Sequence, residues 1–210
     1  MRTVRWFIAI TVIASVCWLF PPFHVVTMKT AAAEKAVVTF NSTQFAETFW
    51  TNQLPSALKK TVTAEMLLPV IQSDAAMAKK KFSRSLGLSE NYFYFLHDEG
   101  KIISVSDDEI SLAVTKNSTN AEIILEAGLV FGNALRDGTG LLNASDYPNS
   151  QDFNDISAAL NHIVETRVLP KLRAQAKVGA RISFAGCAEV DDESTDLKPL
   201  KVIPIQTEIQ

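Results

Sequence analysis

After Gly87 the hydrophobic repeat of this chain switches from the period of a helix to that of a strand, and this switch limits the fold more than any other feature. Upstream, Asn41 and Gln44 have capping-box spacing, and Phe45, Phe49, Trp50 and Leu54 share one helical face until Pro55 ends or restarts the helix. A second amphipathic pattern covers residues 63–82. Its apolar stripe is Met66, Leu67, Val70, Ile71 and Met77, and Lys79, Lys80 and Lys81 complement the dipole of its last turn.

Downstream, the aromatic residues 92–96 predict a strand, Asp98-Glu99-Gly100 a turn, and the alternation of Ile103 and Val105 a second strand over 101–106. Asp107-Asp108 turns the chain into a strand over 109–115, and residues 121–125 form another. Residues 128–151 lack periodicity and predict a long ordered loop or a broken strand, a feature more often functional than a short connection. Phe153, Ile156, Leu160, Ile163, Val164 and Val168 predict a helix capped by Asp152 and closing near Pro170 or soon after, with Asn161, Glu165 and Arg167 on its polar face. Strands over 180–190 and 200–209 follow, separated by the acidic turn 191–195. Strands, one helix and two further strands are the order of a five-stranded OB-type barrel with a helix plugging one end. The expected class is therefore α+β: a short helical region at 41–86, then a small antiparallel OB-like barrel or sheet at 87–210 with one amphipathic helix between strands. A generic α+β sheet packed on helices is the alternative.

The N-terminus places that domain. Arg2 and Arg5 precede an apolar run over residues 6–20 closed by Pro21 and Pro22, the n-region and h-region of an export signal. Residues 1–28 are the expected signal or membrane-anchor helix, 29–40 a spacer, and 41–210 a single periplasmic domain on the outer side of a bacterial inner membrane. Three fates compete: an uncleaved anchor, which is short for a span; cleavage after Ala31-Ala32-Ala33; and lipidation at Cys17. Ala14-Ser15-Val16 before Cys17 resembles a lipobox, with Val16 where Gly, Ala or Ser is usual.

At 210 residues and 47% hydrophobic content the chain has material for one ordinary core. Its net charge of -3 provides no cationic footprint for nucleic acid. Gly132, Gly138 and Gly140 suggest a phosphate loop, but no Lys-Ser or Lys-Thr follows, so tight turns with Arg136 and Asp137 paired to neighbours are the simpler expectation. His24, His97 and His162 are isolated from other metal ligands, and no metal or cofactor is expected. His162 is expected in a hydrogen-bonded packing role and Cys187 as a buried structural thiol. The acidic runs 107–109 and 191–193 read as solvated turns rather than calcium loops. Of Tyr92, Phe93, Tyr94 and Phe95, alternation sends two inward.

Gly132-Asn133-Ala134-Leu135-Arg136-Asp137, Asp152-Phe153, Ala159-Leu160-Asn161 and the run Val178 to Gly186 resemble an uncharacterised bacterial family of predicted periplasmic lipoproteins, as do Trp50, Leu54-Pro55 and Ile203-Pro204-Ile205. The resemblance implies lipidation at the first cysteine and, since such members are often encoded beside sugar ABC transporters, an accessory role in uptake. Asn133, Arg136, Asp137 and Asn161 are the polar positions it singles out for ligand or partner binding. The leading expectation is a non-catalytic, membrane-tethered envelope protein that binds a transporter subunit, another partner protein or a sugar-like solute. The alternatives are an envelope enzyme assembled around Arg136, Asp137 and His162, and a structural adaptor of an envelope complex.

Overall fold

The computed structural model describes residues 40–210 apart from Leu88, Ser89 and Pro148. The expectations placed on Cys17, Ala31-Ala32-Ala33 and His24 lie outside the described residues. Residues 41–210 form one compact unit.

Chain order gives α1 (Ser42–Thr48), a π-helical turn (Phe49–Gln53), α2 (Leu54–Leu58), β1 (Val62–Thr63), α3 (Ala64–Ser73), α4 (Ala75–Phe82) and β2 (Ser83–Ser85). The Asn41 carboxamide caps α1 by accepting from the Gln44 N–H at 2.9 Å, as the spacing predicts. Pro55 restarts the helix, falling in the first turn of α2 where no N–H is needed. The long helix expected over 63–82 is instead two. Asp74 adopts extended angles, φ -156 and ψ 91, ends α3, and caps α4 by accepting from the Met77 N–H at 2.9 Å. The expected stripe is divided with it: Leu67 and Ile71 are buried, as are Leu68 and Ala78, while Met66 and Met77 are 57% and 55% exposed.

The rest comprises β3 (Tyr92–Val105), β4 (Glu109–Ala113), β5 (Ile123–Glu126), α5 (Ala134–Gly138), a 3-10 turn (Ala144–Asp146), α6 (Ser150–Ile163), a second π-helical stretch (Val164–Val168), α7 (Leu169–Gln175), β6 (Arg181–Val190) and β7 (Leu200–Ile209). β3 runs unbroken through Asp98-Glu99-Gly100, where the sequence suggested a turn. Asp98 does not close a turn of its own; it caps α3 by accepting from the Glu65 N–H at 2.8 Å. Gly100 lets β4 approach, since a Cβ there would lie 3.2 Å from that of Leu112.

The length of β3 is what closes the barrel. It pairs antiparallel with β6 from Tyr92 opposite Val190 to Lys101 opposite Arg181. From Lys101 to Val105 it pairs with β4, with a bulge between Ile102 and Ser104. β4 pairs with β5, β5 runs parallel to β7, and β7 returns to β6, so the order β3-β4-β5-β7-β6-β3 is a closed five-stranded OB-type barrel. β1 and β2 attach to the outer part of β3, tying the helical region into the same sheet. Tyr92, Tyr94 and Leu96 on β3, Ile110 and Leu112 on β4, and Ile123 and Leu125 on β5 are buried at alternate positions.

Between β5 and β6 lies the expected amphipathic helix, which packs on α1 and α5, while the π-helical stretch and α7 after it reach β7. Phe153, Ile156, Leu160, Ile163 and Val164 are buried along one stripe, as the periodicity predicts. Its cap is Asn149, which accepts from the Gln151 N–H at 2.9 Å, and not Asp152, which falls in the first turn. The helical structure closes soon after Pro170, which occupies the first turn of α7, and its last residue is Gln175.

Candidate functional site

The aperiodic stretch 128–151 folds over β3 and β6 as a loop carrying α5, all five of whose residues are buried. Gly132 stands at φ +79, in the left-handed region that glycine favours. Arg136 donates to both carboxylate oxygens of Asp137, from Nε at 2.6 Å and from Nη2 at 2.9 Å. Its Nη1 donates to the Phe153 carbonyl at 3.1 Å and to Asn154 Oδ1 at 3.2 Å, and its Cζ lies 3.8 Å from the Phe153 ring centroid. Ser157 Oγ donates to Asn133 Oδ1 at 2.9 Å, and Asn161 Nδ2 donates to the Gly132 carbonyl at 3.1 Å.

The structure thus brings Asn133, Arg136, Asp137 and Asn161 together. Asn161, expected on a polar outer face, is 7% exposed because α6 turns Phe153, Ser157 and Asn161 toward the loop. The cluster fastens α5 to α6. His162, one position on, is exposed and receives no packing role, and the structure does not bring it to Arg136 and Asp137.

On its other side the same loop walls a cavity of about 350 Å³, within the usual range of small-ligand pockets. Gly138 packs on the barrel wall so closely that a Cβ would lie 2.9 Å from Cys187 Sγ. Gly140, at φ +64, leaves the Arg84 guanidinium in the space a side chain would occupy, and Arg84 Nη1 donates to its carbonyl at 2.9 Å. Lys60 comes from the turn after α2, Lys81 from the last turn of α4 and Arg84 from β2, so three elements deliver three cations to one cavity. Phe82, Phe93 and Phe95 supply its apolar wall. Among the described residues, no carboxylate lines this cavity or pairs with any of the three cations.

The sequence singled out the wall of this cavity but not its charge. Lys60, Lys81 and Arg84 belong to no motif, and Lys81 carried only a helix-dipole signal. The aromatic run is buried further than alternation predicts: Tyr92 and Tyr94 face the core, α5 covers Phe93 from outside, and Phe95 is half-buried against the cavity. Burial pushes the Tyr94 hydroxyl up to about 12 and raises the Cys187 thiol beyond thiolate chemistry at neutral pH.

Elsewhere, His97 Nδ1 lies 2.8 Å from Thr61 Oγ1. The acidic turn closes on itself: Asp196 is partly desolvated, yet the Asp192 and Asp191 N–H groups, at 2.9 and 3.0 Å, hold its carboxyl below its ordinary value. Among the described residues, no group of three or more His, Cys, Asp or Glu is arranged to hold a metal ion. A second hollow, of about 430 Å³, has Asp108, Glu109, Glu126 and Lys201 beside Leu129 and Phe131, which are 72% and 73% exposed.

No curated protein matches the chain. Among solved structures it is similar to an OB-fold protein from Thermotoga maritima, at 26% identity and a TM-score of 0.73, over 82% of this chain and all of that one. Residues 7–208 match the model of a family described as "Predicted periplasmic lipoprotein (DUF2291)". The barrel topology, the likeness to an OB-fold structure and the family match over nearly the whole length agree, and the chain belongs to this family of predicted periplasmic lipoproteins.

Proposed function

We propose that this protein is a non-catalytic, membrane-tethered domain on the periplasmic face of the inner membrane. It binds a small solute in the cavity beside loop 138–141, as an accessory to a sugar ABC transporter. The observation that carries the reading is the cavity itself, whose wall is fastened from behind by the buried Arg136–Asp137 pair. Asn133, Arg136, Asp137 and Asn161 act here as positioning residues. A wall held in place before ligand arrives lowers the ordering cost of binding.

The test uses the full-length chain in detergent. Thermal unfolding is followed with a panel of sugars, sugar acids and sugar phosphates, and transporter subunits are sought after crosslinking in native membranes. A shifted midpoint and a recovered subunit are expected. No shift with any solute, together with no subunit, ends the proposal.

Exposed Leu129 and Phe131 favour a second reading, an adaptor that docks a partner protein at the acidic hollow. A photo-crosslinking residue at position 131 that captures a defined envelope protein supports it, and solvent-only labelling removes it.

A further inference from the structure

We infer that the solute held beside loop 138–141 is a small organic anion, its carboxylate or phosphate gripped by Lys60, Lys81 and Arg84 and its carbon body laid against Phe82 and Phe95. The inference rests on the solute-binding reading above and gives it a chemical class.

The whole chain carries a net charge of -3, so a cavity with three cations and no carboxylate among its described lining is not a sample of the average surface. Among the described residues none of the three cations is ion-paired with an acid, so each is open to an anion. Arg84 is also pre-positioned. Its Nη1 is committed to the Gly140 carbonyl, which fixes the guanidinium plane and leaves its other donors available for an oxyanion. Gly140 has no side chain to compete for that space, and any Cβ there would overlap the guanidinium at 1.8 Å.

Lys60 and Lys81 are the flexible members of the set. Both are exposed, and Lys81 Nζ rests 4.9 Å from the Phe82 ring centroid. Each can therefore swing onto a ligand at small cost to the fold. The apolar half of the cavity matters equally, since half-buried Phe82 and Phe95 favour an anion with a carbon body over a bare inorganic ion.

The experiment is isothermal titration of the full-length chain in detergent with phenyl phosphate, glucose 6-phosphate and gluconate, alongside the uncharged parents phenol and glucose. Inorganic phosphate is the headgroup control. An organic anion should bind more tightly than its uncharged parent and than inorganic phosphate, and its affinity should fall as salt rises.

The double variant Lys60→Gln with Lys81→Gln should weaken that binding by about tenfold for each charge-assisted hydrogen bond lost, with an unchanged unfolding midpoint. The pair Lys116→Gln with Lys177→Gln makes the same change in net charge away from the cavity and should leave binding unaltered. Glucose or phenol binding as tightly as its anion, undiminished in Lys60→Gln with Lys81→Gln, overturns the anion assignment while sparing the solute-binding reading. No binding by any anionic probe also overturns it. Equal weakening by both lysine pairs reduces the effect to bulk charge and overturns it as well.

Discussion

Arg136 and Asp137 are sequence neighbours on a helix of one turn, and burial by α6 and β6 makes them partners rather than two solvated charges. Breaking a buried pair strands one charge, whereas replacing both removes the desolvation cost together with the attraction. Asp137→Asn should therefore destabilise the protein by about 3–5 kcal/mol in urea unfolding, and the double change Arg136→Met with Asp137→Leu should cost less than that single one. A double variant as unstable as the sum of its parts would contradict this. Glu126 behaves in the opposite way. Burial, then the charges of Glu109 and Glu189, raise its carboxyl against the lowering effect of Lys201. A raised carboxyl binds its proton more tightly in the folded state, so its contribution to stability falls as pH rises from about 4.3 through the folded value. Glu126→Gln should leave the melting temperature unchanged near pH 4 and raise it at pH 7. At this scale the sequence located the buried polar residues through the family resemblance. It could not show that they face one another, because one-residue spacing on a helix ordinarily separates side chains.

Asp98 and Asp74 exchange the roles their sequence neighbourhoods suggest. Asp98-Glu99-Gly100 has turn composition yet runs straight through β3, because the Asp98 carboxylate is used by α3, distant in sequence, and the Gly100 gap is filled by β4. Asp74 interrupts a helical pattern without Gly or Pro, because its carboxylate starts a new helix. For Asp98 the deciding partner lies 33 residues away along the chain, whereas the Asp74 cap is local and was masked by the apolar stripe that runs on either side of it. The α6 stripe was legible because burial on one face imposes a period that no single partner overrides, and the last two strands because each is a short apolar run, buried at consecutive positions, set off by an acidic turn. Asp74→Ala should cost about 0.5–2 kcal/mol in thermal unfolding and lower helix content by circular dichroism. A larger effect belongs to Gly186, at the β6–β7 register shift, where a Cβ would lie 2.3 Å from the Ile203 carbonyl oxygen. The obstacle is backbone, so Gly186→Ala must separate two barrel strands. It should destabilise more than Asp74→Ala, and equal midpoints for the two variants would show that the seam yields freely.

The closed barrel satisfies the edges of its own five strands, and on the reading proposed above what lies outside it carries the function. Two additions do so: loop 128–151, which builds the cavity wall, and the N-terminal segment, which sets where the cavity works. Family membership gives a predicted periplasmic lipoprotein, and the cysteine available near the start is Cys17, with the expected spacer at 29–40 before Asn41. A single acyl chain binds a membrane only marginally, whereas the several chains of a bacterial lipid anchor hold it stably. Wild-type protein expressed in a Gram-negative host should therefore sediment with membranes, and its mature N-terminal peptide should carry an acylated Cys17 by mass spectrometry. Cys17→Ala separates the remaining routes, since loss of the lipid site releases the domain only where no uncleaved apolar helix retains it. Membrane-bound Cys17→Ala with an intact Arg2 peptide assigns the tether to an uncleaved anchor, and a peptide beginning at Ala33 or Glu34 assigns it to cleavage. Both outcomes overturn lipidation. The proposed solute binding does not depend on the result, but the proposed role in uptake does: a tether would confine the domain to a thin layer beside the membrane and raise its effective concentration at a transporter mouth without any new contact. Released Cys17→Ala should thus bind its anion with unchanged affinity in solution while losing its effect on uptake in whole cells.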